Sequence, residues 1–284
     1  MISKEIILIV FIIIILYYLY PFVKKLYTQY FRNKTINKFK NICDKIKLNM
    51  NIEDSMKVYS SKIEHRFTVE LHRNIEFTKI MDPIPIEKTL DEVNSQFKID
   101  KHLSDEIYKL SKQGKVEEFF YGKHPFLPYE KIYIGFSTRQ NYGYLLEKNR
   151  NQYIKRTYIN TINFNLYDIF PSNIADKLHL VIPQEILQPK HIYKYDEGKT
   201  KPLTCYIGIK SKYNVGNVME IMNNIMKIFG TNKKIIVQAN NEIEKFKNNN
   251  CFWLGLTNKY GQFFVTIYYS RNNLPPNRIP KILK

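Results

Sequence analysis

The feature that most constrains this chain lies at its start. From Ile6 to Val23 the sequence reads IILIVFIIIILYYLYPFV, eighteen residues without a charge. At about 1.5 Å rise per residue a helix of that length reaches roughly 27 Å, close to the hydrocarbon thickness of a bilayer. In lipid a single segment satisfies its backbone N–H and C=O groups only as a helix. Tyr17, Tyr18, Tyr20 and Tyr27 cluster at one end, the headgroup position for amphipathic rings. A cleavable signal peptide fits less well, because bulky residues precede Lys24 and Lys25 where small ones are required. The expectation is a transmembrane anchor over residues 1–25 of a single-pass membrane protein.

The flanking charges orient that expected span. Lys24, Lys25, Arg32, Lys34, Lys38 and Lys40 follow it before the first acidic residue, Asp44. The positive-inside rule then puts the C-terminal part in the cytosol, with the lipid bilayer as partner and these six cations against anionic headgroups. The short span suits an ER-like or other internal membrane, with a virion membrane as the alternative.

Net charge is +18 over 284 residues, almost all of it outside the expected anchor, so polyanions are candidate partners: anionic lipid or nucleic acid, beside a cytosolic protein. The lean towards Lys, Asn, Ile and Tyr is equally what an AT-rich genome produces. A hydrophobic fraction of 44% and an aromatic fraction of 14% exclude a disordered chain. Cys43, Cys205 and Cys251 have no metal-binding spacing, so reduced thiols are the simplest reading, with a Cys205–Cys251 disulfide as the alternative.

The rest reads as a basic stalk over residues 26–62, an α+β domain over 63–270 with a subdivision near 125–130, and a basic, Pro-rich tail over 271–284. The fold class expected is α+β: a transmembrane helix, then a mainly antiparallel sheet with two to four packed helices. A strand is expected at 65–71, a helix from Pro85 with Ile86, Leu90, Val93 and Phe97 as its stripe, and a second helix over 103–119. From Lys131 short β runs dominate, among them LHLVIP (178–183) and KIIVQA (234–239). Asn214 is the N-cap and Gly230 the stop of the best-patterned helix. Asn258 to Gly261 is a four-residue hairpin connection.

One pattern recurs: Tyr133-Ile134-Gly135-Phe136, Tyr206-Ile207-Gly208-Ile209 and Trp253-Leu254-Gly255-Leu256. Side chains alternate across a strand, so the aliphatic residues share an apolar face while each aromatic shares the other with its glycine and then a polar residue such as Lys210. That second face is either a ligand-lining surface or a packing device in which glycine admits a neighbouring ring.

No catalytic motif is present. Gly198-Lys199-Thr200 lacks the upstream glycine and following helix of a phosphate loop. No metal site or cofactor is expected. Cys205 with His179 or His191 is a candidate nucleophile–base pair. Glu117-Glu118 and Asp196-Glu197 read as solvent-facing. Lys155 and Arg156, interleaved with Tyr153 and Tyr158, form a candidate single-stranded nucleic-acid surface. Three functions follow: a membrane-tethered binding or structural module, an enzyme with its pocket on the aromatic–glycine face, and membrane-associated nucleic-acid binding.

Overall fold

The computed structural model describes residues 4–72, 83–123, 129–136, 142–149, 152–162 and 165–270. Ten antiparallel strands close into one barrel in the order β1-β10-β9-β8-β7-β6-β5-β4-β3-β2. They are β1 (Asn49–Val58), β2 (Ile63–His72), β3 (Val116–Lys123), β4 (Tyr129–Phe136), β5 (Tyr142–Asn149), β6 (Gln152–Thr161), β7 (Leu187–Asp196), β8 (Thr204–Ile209), β9 (Cys251–Lys259) and β10 (Gln262–Ser270). Around them run six α-helices: α1 (Lys4–Ile46), α2 (Ile86–Phe97), α3 (Lys101–Ser111), α4 (Ser172–Val181), α5 (Met219–Ile228) and α6 (Lys233–Glu244). Every strand pairs antiparallel with its neighbours in sequence, and β1 pairs with β10 to close the ring. Among the described residues the turns β1–β2, β7–β8 and β9–β10 lie at one barrel end, and the connections carrying helices, β2 to β3, β6 to β7 and β8 to β9, lie at the other.

The last hairpin shows how local chemistry sets the turn. Tyr260 and Gly261 both have positive φ, 54° and 82°, the two-residue geometry whose twist matches antiparallel strands. Asn258 Oδ1 accepts from the Gly261 N–H at 3.0 Å, so the connection is two residues rather than four.

The expected anchor and stalk are corrected. Helix α1 is one 43-residue rod running through both. Its second half is part of the fold: Phe39, Ile42, Cys43 and Ile46, spaced three and four apart, are buried against α2, α3 and β1–β4. Beyond it, the expected stalk supplies β1, which pairs with both β2 and β10 and closes the barrel. Among the described residues no helix is long and apolar enough to cross a membrane. Helix α1 continues without a break past the end of the apolar run. The last third of that run is tyrosine-rich, and Lys24 and Lys25 follow at once. The transmembrane assignment, the single-pass topology, and the internal-membrane and virion-membrane placements derived from it are withdrawn together.

Other corrections have local causes. The second expected helix stops at Ser111 and residues 116–123 are strand β3, because the helical stripe ends at Leu110 while Phe119 and Tyr121 bury one face of a strand with Glu118 and Phe120 on the other. LHLVIP falls largely in α4, where Ala175 and Leu178 bury one helical face. KIIVQA lies in α6 despite its β-branched run: Asn232 caps the helix by accepting from the Lys234 N–H, and Ala239 and Ile243 meet the core one turn apart. Helix α5 ends at Gly230 (φ 68°) as expected. Asn214 and Asn217 exchange backbone N–H to side-chain bonds of 2.9 and 3.0 Å, a reciprocal cap on the 3-10 turn before α5. Strands β3 and β4, on either side of the expected subdivision, pair with each other from Val116 with Phe136 to Lys123 with Glu130. The tail from 271 lies outside the described residues.

Apolar side chains pack on the outer face of the barrel. Val69, Leu71, Phe119, Tyr121, Ile132 and Ile134 meet α1 to α3, while Cys205, Ile207, Leu254, Leu256, Val265 and Ile267 meet α4 to α6. The helices therefore cover the hydrophobic side of the sheet, and the opposite side of every strand faces the barrel interior.

Candidate functional site in the barrel interior

Strand alternation separates two environments. Outward residues are sealed beneath the helices, while inward neighbours such as Glu53, Lys57, Arg66, Tyr206, Trp253 and Tyr268 keep part of their surface open. On β1 the inward residues are Glu53, Ser55 and Lys57; on β2, Arg66, Thr68 and Glu70; on β3, Glu118 and Phe120; on β4, Lys131, Tyr133 and Gly135. Strands β6 to β10 add Arg156, Tyr158, Lys194, Tyr206, Trp253, Gly255, Thr266 and Tyr268.

Aromatic rings run around this inner wall. Phe120 meets Tyr133 at 5.1 Å, Tyr133 meets Tyr158 at 5.0 Å, Tyr158 meets Tyr206 at 5.8 Å and Tyr206 meets Tyr268 at 5.6 Å. The Tyr206 hydroxyl is hydrogen-bonded with both Tyr158 and Tyr268. Gly255 is where the last two rings converge: a Cβ there would stand 3.3 Å from Tyr268 and 3.4 Å from Tyr206. Burial raises the pKa of all four tyrosines, and Tyr206 is pulled back down by its two phenol donors and by Arg156. The tyrosines are neutral hydrogen-bonding groups at pH 7.

Charged residues flank the rings in two groups. In the first, Glu53 lies near Lys131, Asp54 and Glu118. Burial pushes its carboxyl up to about 7, Lys131 opposes the shift, and Asp54 and Glu118 reinforce it. In the second, Lys57 lies near Arg66, Lys194, Glu64 and Lys259. Burial lowers its ammonium to about 6, Arg66, Lys194 and Lys259 add to the shift, and Glu64 opposes it. Arg66 donates to Glu64 at 2.8 Å, and Arg156 pairs with Asp196 at 2.8 Å. The tyrosines lie between the groups: Tyr206 is within electrostatic reach of Glu53 and Arg156, and Tyr268 of Glu53 and Arg66.

The Glu53 shift has a measurable consequence. The unfolded carboxyl ionises near 4.5 and the folded one near 7, so the folded state holds the extra proton between those values and stability falls as pH rises through them. Glu53→Gln, which removes the charge and keeps the shape, will stabilise the protein by about 3 kcal/mol near pH 8 and leave it unchanged near pH 4. Urea midpoints of the two proteins at both pH values check this.

The residues singled out from sequence are distributed as follows. Tyr133, Gly135, Tyr206, Gly208, Trp253 and Gly255 are inward on β4, β8 and β9. Lys210 lies just past the end of β8, where its Nζ donates to the Glu185 carbonyl at 2.7 Å. Cys205 faces the opposite way, into the helix-covered core, where burial holds its thiol far above the usual range. His191 is buried and neutral, lowered to about 4 by desolvation. His179 is exposed on α4 against Tyr167, while His191 on β7 shares the outward face of Cys205 on β8, one step along the diagonal of the strand pair. All three cysteines are buried free thiols, which removes the Cys205–Cys251 disulfide.

Lys155 and Arg156 point to opposite faces of β6, Lys155 toward Glu197 at 3.6 Å and Arg156 inward, so they share no surface. Of the six α1 cations, Arg32 is bound to Asp54 at 2.9 Å and Lys38 donates to the Gln96 carbonyl at 2.5 Å. Lys24, Lys25, Lys34 and Lys40 are exposed. Glu117 is buried and Glu118 inward, contrary to the solvent-facing expectation. Glu53, Lys57, Arg66, Lys131, Lys194 and Tyr268 were missed. Strict alternation with buried neighbours was the only local signal they carried, and it is the same for a residue facing water.

Among the described residues no group of three or more His, Cys, Asp or Glu side chains is arranged to hold a metal ion. No protein-family model matches the chain, and no curated protein matches it. Among solved structures, AnaPT from Neosartorya fischeri matches 79% of this chain and 80% of its own, with 11% identity and a TM-score of 0.47. A likeness at that level carries no argument about activity.

Proposed function

We propose that the barrel interior is the reaction chamber of an enzyme that acts on a small organic anion by proton transfer. The observation that carries this reading is the inversion of the barrel: its apolar face is spent on the helices, and its enclosed face holds tyrosines, cations and carboxylates. Holding ions in an enclosed space costs several kcal/mol each. A Leu- and Val-lined interior would close the same barrel without that cost, so the ions serve something other than folding. Shifted ionisable groups of this kind cluster where ligands are bound and protons moved. Glu53, ionising near 7, is matched to give or take a proton at neutral pH. Arg156, Arg66 and Lys194 supply charge for an anionic group, and the tyrosine rings supply apolar walls with hydroxyl donors.

The chamber is tested by chemical access. The native cysteines are buried, two of them with thiols far above the ordinary range and Cys43 pushed up to about 11, so the background is unreactive. Thr266→Cys places a thiol on the inner wall, and exposed Ser172→Cys is the control. Paired methanethiosulfonate reagents, one sulfonate and one trimethylammonium, are applied to each folded variant. The sulfonate-over-ammonium rate ratio at position 266 is expected to exceed that at 172 by at least tenfold. An unreactive thiol at 266 means a filled interior, and equal ratios mean no anion preference; either result overturns the proposal.

A further inference from the structure

Among the inward cations of the described residues Lys57 stands nearest to a ring face, Lys194 Nζ lying 5.9 Å from the Tyr206 centroid. The Lys57 Nζ stands 3.7 Å from the Phe264 ring centroid and 4.7 Å from that of Tyr59. Lys57 lies one residue before the end of β1, at the hairpin end of the barrel, and keeps open surface there. The charged groups around it are Arg66 and Glu64 on β2, Lys194 on β7 and Lys259 at the β9–β10 turn, three cations against one carboxylate. That carboxylate is already engaged by Lys62 at 2.6 Å and Arg66 at 2.8 Å, which hold it ionised despite its burial. An amine walled by aromatic rings and pressed by neighbouring cations is in the environment that makes lysine a nucleophile at neutral pH.

We propose that Lys57 forms an imine with a small aldehyde or keto acid whose anionic group is held by Arg66 and Lys194. The amine nitrogen adds to the carbonyl carbon, the resulting carbinolamine loses the nitrogen proton and its hydroxyl as one water, and a C=N bond to Lys57 remains. No electrons are gained or lost. The imine is an electron sink for proton removal at the adjacent carbon, which names both a substrate class and a covalent step for the chamber. The inference rests on the chamber reading given above. It explains why a lysine should stand where desolvation and three cations oppose its charge, which the ring faces offset only in part.

The experiment is reductive trapping on the full folded chain. Glyoxylate with cyanoborohydride near pH 7 converts each imine into a stable carboxymethyl-lysine, located by peptide mass mapping. Acetaldehyde serves as the uncharged comparison. Lys57 is expected to be labelled by glyoxylate at least tenfold faster than exposed Lys199 or Lys233, with a smaller advantage for acetaldehyde, and Arg66→Gln is expected to reduce the glyoxylate advantage. Labelling of Lys57 no faster than the exposed lysines overturns the imine. If the inner-wall cysteine still prefers the sulfonate reagent, only the imine fails; if it does not, the chamber itself fails.

Discussion

Phe39→Ala will lower stability by about 4 kcal/mol, the largest loss expected from any single truncation in α1. Phe39 has no solvent-accessible surface, stacks on Phe97 at 4.8 Å and tilts against Tyr121 at 5.5 Å. Removing the ring loses its transfer free energy and leaves a cavity where the helix, α2 and the barrel wall meet, too tightly framed to collapse. Guanidinium unfolding of the full chain, monitored by far-UV circular dichroism, should show a lower midpoint with an unchanged slope. If α1 beyond residue 25 were a stalk, the same substitution would cost under about 0.5 kcal/mol. The measurement therefore reads directly whether the polar half of that helix belongs to the fold.

Lys57→Met will act in the opposite direction, stabilising the protein by about 4 kcal/mol near pH 5.5. The folded ammonium ionises near 6 and the unfolded one near 10.5. Below 6 the native state must carry the buried charge, so the penalty is fully present there. It shrinks as pH rises and vanishes above 10.5, where neither state holds the proton. The full shift corresponds to about 6 kcal/mol, of which the Phe264 and Tyr59 ring faces offset about 2. Urea titrations from pH 5.5 to 9.5 should show the advantage of the methionine variant falling steadily across that range. A flat difference would mean that the ammonium is fully hydrated and that the barrel end is open water. A residue whose removal stabilises the fold, in a chamber of similar residues, is the stability–function trade expected of a working site.

The two substitutions also separate the outer and inner faces of the barrel. Phe39 belongs to the layer between helices and strands, where it packs on the rings of Phe97 and Tyr121 and truncation leaves a void. Lys57 belongs to the inner wall, where a volume-conserving apolar replacement removes a desolvation cost. Glu53→Gln behaves like Lys57→Met with the opposite pH window, because a raised carboxyl pKa penalises the native state at high pH and a lowered lysine pKa penalises it at low pH.

Much of the local structure was legible in the residues. The alternation in Tyr206-Ile207-Gly208-Ile209 and its two counterparts correctly put Ile207, Ile209, Leu254 and Leu256 in the core and set the aromatics and glycines apart from them. Helix α2 followed from its stripe, the end of α5 from Gly230 and the last hairpin from Asn258 and Gly261. Failures came where a local preference was outvoted by packing. The β-branched run in α6 prefers strand in isolation, and the cap at Asn232 with burial of Ala239 and Ile243 reverses it. The helical spacing of Ile36, Phe39, Ile42 and Ile46 was legible, but beside the apolar start of α1 it reads as a stalk, whereas it packs into the core and is followed by barrel strand β1.

By itself, then, the sequence determined which residues share a face of a strand or helix, because periods of 2 and 3.6 are properties of the backbone. Only the tertiary structure decided which face looks inward. A charge alternating with buried apolar residues reads the same whether it meets bulk water or an enclosed chamber. The difference arises when β1, from residues 49–58, pairs with β10, from residues 262–270, and closes the sheet. That contact joins segments some two hundred residues apart and leaves no local trace, yet it turns Glu53, Lys57, Arg66 and Tyr206 from an apparent solvent face into the lining of one enclosed space.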